Sequence, residues 1–282
     1  MEKIEAILKK INKRSIMPLE NEPLFGNYAK DSLECGKMIT FFNWECPPRT
    51  LDMDKTGNVF LNYCVDLEKI FRGEKLDYYT EMPRVVAQKN REIRALRFLK
   101  SLGLKFRFIK IIADTNAYYI TPQSLKASGK RKLDDIFSDF KLRIDGILEK
   151  DYKDFRTGSL LFTSMIKRYR REYESALSEA LSNLNSGNQG LVRPEIWKKE
   201  RDYIQEHVGF NASQRESLTE FTKKVIATYA AEGVIFAKLS ETDDFSNCVW
   251  LNIEEPSFES IEITNCLRNK KGLGKLPMIF PE

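Results

Sequence analysis

Apolar positions in the first fifteen residues recur at helical spacing. Ile4, Leu8 and Ile11 share a face with Ile7 beside them, which predicts a short docking helix. The segment 16–28 (IMPLENEPLFGNY) carries two prolines and a glycine and reads as an irregular connection. From Lys37 to Trp44 the pattern becomes a nearly unbroken run of β-branched and aromatic residues. That predicts a strand covered on both faces and ended by Pro47 and Pro48. Residues 59–74 fit a helix or an extended piece running into one. Residues 83–103 are plainly helical in period: Pro83 suits the first turn, Ile93, Leu96, Phe98 and Leu99 form an apolar side, and Gly103 can cap the end. A second apolar strand runs from Phe106 to about Ala113. Helix, glycine and strand in that order make the back half of a βαβ crossover.

Beyond it, the spacing predicts helices over 123–149, 159–184 and 194–208, with residues 182–190 (SNLNSGNQG) as a loop between the last two. Ser213 and Glu216 form a capping-box pattern ahead of a helix that carries Leu218, Phe221, Val225, Ile226 and Tyr229. This helix ends near Gly233, unless Val234–Leu239 extends it or begins a strand. The runs 248–255 (CVWLNIEE) and 258–267 (FESIEITNCL) read as neighbouring strands or a hairpin. A basic, glycine-containing loop and a short docking stretch finish the chain. Together these elements define a three-layer, Rossmann-like α/β fold: a mostly parallel sheet flanked by helices, with antiparallel strands at the C-terminal end. The expected organisation is one domain over 1–282, with a helical subregion at 123–210.

Composition adds little to that pattern. With 282 residues, 42% hydrophobic and 31% charged, the chain can bury a substantial core. It has no apolar run long enough for a transmembrane helix, and its start is too acidic for a secretory leader, so a cytoplasmic protein without a membrane partner is expected. The net charge of +5 comes from 46 basic and 41 acidic residues and attracts polyanions only if it is clustered. Cys35, Cys46, Cys64, Cys248 and Cys266 are odd in number and widely spaced, which suits reduced thiols better than a disulfide framework or a metal knuckle. His207 is the single histidine, so no histidine-rich metal site is expected. No cofactor can be named from the sequence. P-loop, GxGxxG, HExxH, DFG and GxSxG patterns are all absent.

The candidate chemistry lies where the two strong strands end, because ligands of open α/β sheets gather beyond the carboxyl ends of the strands. After the first strand come Asn43, Glu45, Cys46 and Arg49. Glu45 is a candidate acid or base, Cys46 a nucleophile, and Arg49 a clamp for phosphate. After the second strand, Asp114, Thr115 and Asn116 can hold a hydroxyl or an amine, with Tyr118 and Tyr119 nearby. Arg84 falls in the first turns of the crossover helix, where backbone donors are free, and the stretch from Arg156 to Ser159 reads as an anion-holding turn entering a helix. Tyr229 and Glu232 share a helical face, and the apolar residues around Glu232 would raise its pKa. Asp52, Asp54 and Asp114 offer a loosely spaced set for magnesium.

The basic groups suited to nucleic acid are Lys130, Arg131 and Lys132 in a loop and Lys167, Arg168, Arg170 and Arg171 on a helix. No motif dictates a reaction. The expected function is a transferase acting on a phosphate-containing substrate, either a nucleotide-activated small molecule or an aminoacyl-tRNA. The alternative is a noncatalytic RNA-binding or accessory protein. Nucleotide or tRNA is the expected partner.

Overall fold

The two apolar strands lie side by side. In the computed structural model, which describes residues 2–45, 83–115, 137–138, 140–142, 144–186, 191–208, 215–239, 242, 245, 247–253 and 258–282, β1 (Ile39–Glu45) pairs in parallel with β2 (Phe106–Ile112) from Ile39↔Phe106 to Glu45↔Ile112. Between them runs α3 (Pro83–Ser101), and Gly103 leaves it at φ 80°, a left-handed turn that favours glycine. Before β1 come α1 (Glu2–Lys13) and α2 (Glu22–Glu34). The irregular connection expected at 16–28 is corrected here, because Pro23 opens the first turn of α2 instead of breaking the chain.

The helical residues of 137–151 form α4, and β3 (Thr157–Leu161) follows as an edge strand. Then come α5 (Phe162–Arg168), α6 (Arg170–Asn185), α7 (Pro194–Val208) and α8 (Arg215–Leu239). The single helix expected over 159–184 is thus a strand and two helices broken at Tyr169. The capped helix continues past Gly233 to Leu239. After β4 (Cys248–Leu251), the segment read as a second C-terminal strand is helix α9 (Phe258–Lys270), and β5 (Met278–Ile279) closes the sheet. The expected C-terminal antiparallel strands are therefore corrected: β4 and β5 pair in parallel, and a helix joins them. The antiparallel contact at β5 comes from the N-terminal segment, through the bridges Glu20↔Met278 and Ser15↔Pro281.

Strand order is β3-β2-β1-β4-β5, with every pairing parallel. The chain winds outward from β1 to β3 and then returns to the other side of β1. This is a Rossmann-like winding with its switch point between β1 and β4. Strand residues alternate between two cores: Phe41, Phe108, Ile112 and Val249 face α1 to α4, and Phe42, Ile109, Ile111 and Trp250 face α5 to α9. Among the described residues no helix is long and apolar enough to cross a membrane.

Candidate functional site

At the end of β2 the backbone turns sharply, with Asp114 N–H donating to the Ile112 carbonyl at 2.9 Å. The turn carries Asp114 and Thr115, both fully buried, past the carboxyl edge of the sheet. Asp114 accepts from the Thr163 backbone N–H at 2.9 Å and from the Thr163 hydroxyl. It thereby supplies, from a neighbouring strand, the cap that α5 lacks at Leu161. Thr115 points the other way and donates its hydroxyl to Glu232 Oε1 of α8 at 2.6 Å. Two buried carboxylates from separate elements thus meet through adjacent residues.

The sequence of α8 makes this environment dry. From Val225 to Phe236, only Tyr229 is not buried, so the helix is apolar on every side and runs through the core. Beneath the pair, Trp44, Phe162 and Phe236 pack edge-on or tilted with ring centres 5.1–5.7 Å apart, and Phe236 stacks on Phe42 at 4.5 Å. Burial disfavours the ionised form of both acids. It pushes Asp114 up to about 6, despite the hydrogen bonds from Thr163, which pull the other way. It pushes Glu232 up to about 8, and the charge of Asp114 adds to the effect while the Thr115 hydroxyl opposes it. Both oxygens of Asp114 are committed to Thr163. Among the described residues Glu232 Oε2 has no hydrogen-bond partner. The arrangement is therefore a protonated or proton-sharing carboxyl group with one open oxygen, held by a hydroxyl that can relay a proton.

A second polar cluster lies on the opposite face of the sheet. Glu92 of α3, 1% exposed, accepts from Asn43 Nδ2 at 3.0 Å and from the Tyr152 hydroxyl, and it pairs with Lys110 Nζ at 2.9 Å. Asn43, a candidate ligand contact in the sequence, takes part in this internal network. Glu92→Ala would leave the Lys110 ammonium without its carboxylate, at a cost of roughly 3–5 kcal/mol. Chemical denaturation of the variant checks this, and a loss under 1 kcal/mol would show that solvent already carries the Lys110 charge.

The remaining candidates scatter. Glu45 ends β1 beside Ile112, so the two strand ends emerge together, and the Glu45 side chain lies outside the described residues. So do Cys46, Arg49, Asp52, Asp54, Asn116, Tyr118, Tyr119, Lys130, Arg131 and Lys132, together with the side chains of Arg84 and His207. The stretch from Arg156 to Ser159 is not a turn into a helix. It leads into and forms β3, Ser159 donates to Asp145 Oδ1 at 2.5 Å, and exposed Arg156 touches Met38 Sδ at 3.8 Å near the opposite, amino-terminal edge. Tyr229 is half-buried one turn before Glu232. Lys167, Arg168, Arg170 and Arg171 are exposed at the corner between α5 and α6, where Arg170 pairs with Glu174 at 2.7 Å. Among the described residues no group of three or more histidine, cysteine, aspartate or glutamate side chains could hold a metal ion. Sequence reasoning missed Thr163. Its signal is faint, a threonine in the first turn of a helix that follows a strand.

Fold and site together define a Rossmann-like α/β protein with a buried carboxyl pair beyond the carboxyl edge of its parallel sheet. Comparison with protein-family models and with curated proteins gives no match. Among solved structures the chain aligns over its full length with a tryptophanyl-tRNA synthetase homolog from Entamoeba histolytica, at a TM-score of 0.40 and 11% identity, and spans 58% of that chain. A likeness of that degree assigns neither family nor activity.

Proposed function

We propose that this chain is a transferase acting on a phosphate-containing substrate, with a nucleotide-activated small molecule or an aminoacyl-tRNA as donor. The observation that supports the reading is the meeting of Asp114 and Glu232 beyond the carboxyl end of β2, on the edge where parallel open sheets take their ligands. Glu232, in its ionised form and with its open oxygen, accepts the proton of the attacking amine or hydroxyl and returns that proton to the leaving group, so transfer rises with pH toward 8. Thr115 orients it. Asp114 fixes α5 and sets the field in which Glu232 titrates. Phosphate recognition falls to Arg49 and Arg84 in this reading, and Asn116 holds the acceptor.

The test uses the full chain with two donors: a mixture of radiolabelled aminoacyl-tRNAs, and ATP labelled at the α- or γ-phosphate. Glu232→Gln is expected to lower transfer by about 10²–10⁴-fold with donor affinity changed less than threefold. Asp114→Asn leaves the carbonyl oxygen to accept from Thr163 and is expected to cost about 10–100-fold. Turnover of Glu232→Gln at the rate of the wild type would end the catalytic reading. In the alternative, a noncatalytic RNA-binding protein, the exposed Lys167, Arg168 and Arg171 carry the contact and neither carboxyl substitution changes any measured property except stability.

A further inference from the structure

Helix α3 holds six basic residues, Arg84, Lys89, Arg91, Arg94, Arg97 and Lys100, against one acid, Glu92. That acid is buried and spent on Lys110, Asn43 and Tyr152. Three of the cations are tied down: Lys89 to Asp151 at 2.5 Å, Arg91 to the Ile253 carbonyl at 3.0 Å and Lys100 to the Asp154 carbonyl at 2.8 Å. Arg94 and Arg97 are exposed, three residues apart on one side of the helix, with no ion pair or hydrogen bond among the described residues. Phe98 lies beside both. Over its ring, at 4.7 Å, sits the guanidinium of exposed Arg14, which α1 delivers from the other side, with exposed Lys10 and Lys13 behind it. Among the described residues these groups have no carboxylate partner either. Two acids lie nearby along the chain contacts: exposed Glu282, whose backbone N–H donates to the Arg14 carbonyl at 3.2 Å, and Glu22, which accepts from Asn12 Nδ2 at 2.7 Å.

Other exposed cations of the described surface are of both kinds: Lys37–Asp31, Arg193–Glu262 and Lys271–Glu179 are paired, whereas Lys167 and Arg171 have no ion pair among the described residues. What sets the α1–α3 face apart is that guanidiniums from two helices gather around one aromatic ring. A set of three neighbouring guanidiniums without a counter-charge repels itself and gains when an anion with several charges spans it. Guanidinium forks match phosphate oxygens two at a time. We infer that the α1–α3 face, with Arg14, Arg94 and Arg97 at its centre and Lys10 and Lys13 at its margin, binds the phosphate backbone of a nucleic acid.

An anionic membrane is the weaker fit. Interfacial helices insert a free apolar face, whereas Ile7 and Ile11 of α1 and Leu96 and Leu99 of α3 are committed to the core. The lone exposed Ile16 at the margin makes no such face. The inference stands independently of the carboxyl pair, because no side chain is shared between the two.

The experiment is anisotropy with a 5′-fluorescein single-stranded 20-nucleotide RNA on the full chain, at salt from 50 to 300 mM. R94E/R97E is expected to weaken binding at least tenfold at 150 mM salt and to flatten the slope of log Kd against log salt by about 1.4, two single-strand phosphate contacts. K13E/R14E is expected to do the same, and R94A/R97A to show half the effect, with circular dichroism melting unchanged since all four side chains are exposed. K167E/R171E, on the opposite layer, is expected to bind within twofold of the wild type. The inference is overturned if the RNA does not bind, if R94E/R97E and K13E/R14E bind it as the wild type does, if K167E/R171E is the variant that fails, or if only phosphatidylserine-containing vesicles bind.

Discussion

Glu232→Gln melts at a higher temperature than the wild type at pH 8, and the gap closes toward pH 4. In the unfolded chain this carboxyl group loses its proton near 4.5, whereas in the folded chain burial among the alanines and valine of α8 holds the proton up to about 8. Between those values the folded state binds more protons than the unfolded one. Stability therefore falls as pH rises through that interval and levels off above it. Asp114 acts in the same direction over a narrower window, from 3.8 to about 6. Glutamine keeps the shape and the acceptor for the Thr115 hydroxyl but cannot ionise. It should recover on the order of 3–5 kcal/mol at pH 8, or roughly 5–15 °C in Tm. Differential scanning calorimetry across pH 4–9 reads both slopes. A wild-type Tm that rises between pH 5 and 8 would contradict this. A group that weakens the fold at neutral pH shows the stability–activity conflict that the proposed role of Glu232 as an active-site acid would produce.

Gly233→Ala is expected to be the most damaging glycine-to-alanine change among the described residues. A Cβ built on Gly233 would stand 1.8 Å from the Thr264 carbonyl oxygen and 2.9 Å from its carbon. Both are backbone atoms that cannot swing aside, so α8 and α9 would have to part by more than an ångström. Parting them also strains the bond from Arg268 Nη1 to the Gly233 carbonyl, 3.1 Å long and buried. A loss upwards of about 3 kcal/mol follows. Gly146, in α4 with nothing within 4 Å of its would-be Cβ, is the control. There alanine should stabilise by about 0.5–1 kcal/mol through helix propensity alone. Urea denaturation of the two variants distinguishes close backbone approach from a general intolerance of alanine. Similar losses for both would remove the contact explanation.

How much of this was readable beforehand depended on whether an element shows its period. The β1–α3–β2 unit was readable because its strands are unbroken apolar runs and its helix has one apolar side. The α9 segment deceived because it is buried from Ile263 to Arg268 on nearly every side. A helix without a polar face shows no 3.6 period, and Ile261-Glu262-Ile263 imitates strand alternation. β3 was hidden for another reason: five residues, two of them polar and one glycine, at the sheet edge carry little propensity. Asp114 and Glu232 each drew notice separately, one for following a strand and one for its apolar neighbours. Their meeting could not be read, because Thr115 and Glu232 are 117 residues apart and join only through the packing of α8 over β2. The cations of α3 could be counted in the sequence. Which of them lack a partner depends on where Asp151, Asp154 and Ile253 fall in three dimensions.

The central claim is a proton held on Glu232 by burial and by the neighbouring charge of Asp114 at the sheet edge. Carboxyl-carbon NMR on the wild type and on Asp114→Asn tests it most directly. Glu232 should titrate near 8 in the wild type and at lower pH once the Asp114 charge is gone. If its resonance moves near 4.5 in both proteins, Glu232 is a solvated side chain, and the carboxyl pair is not a chemical site.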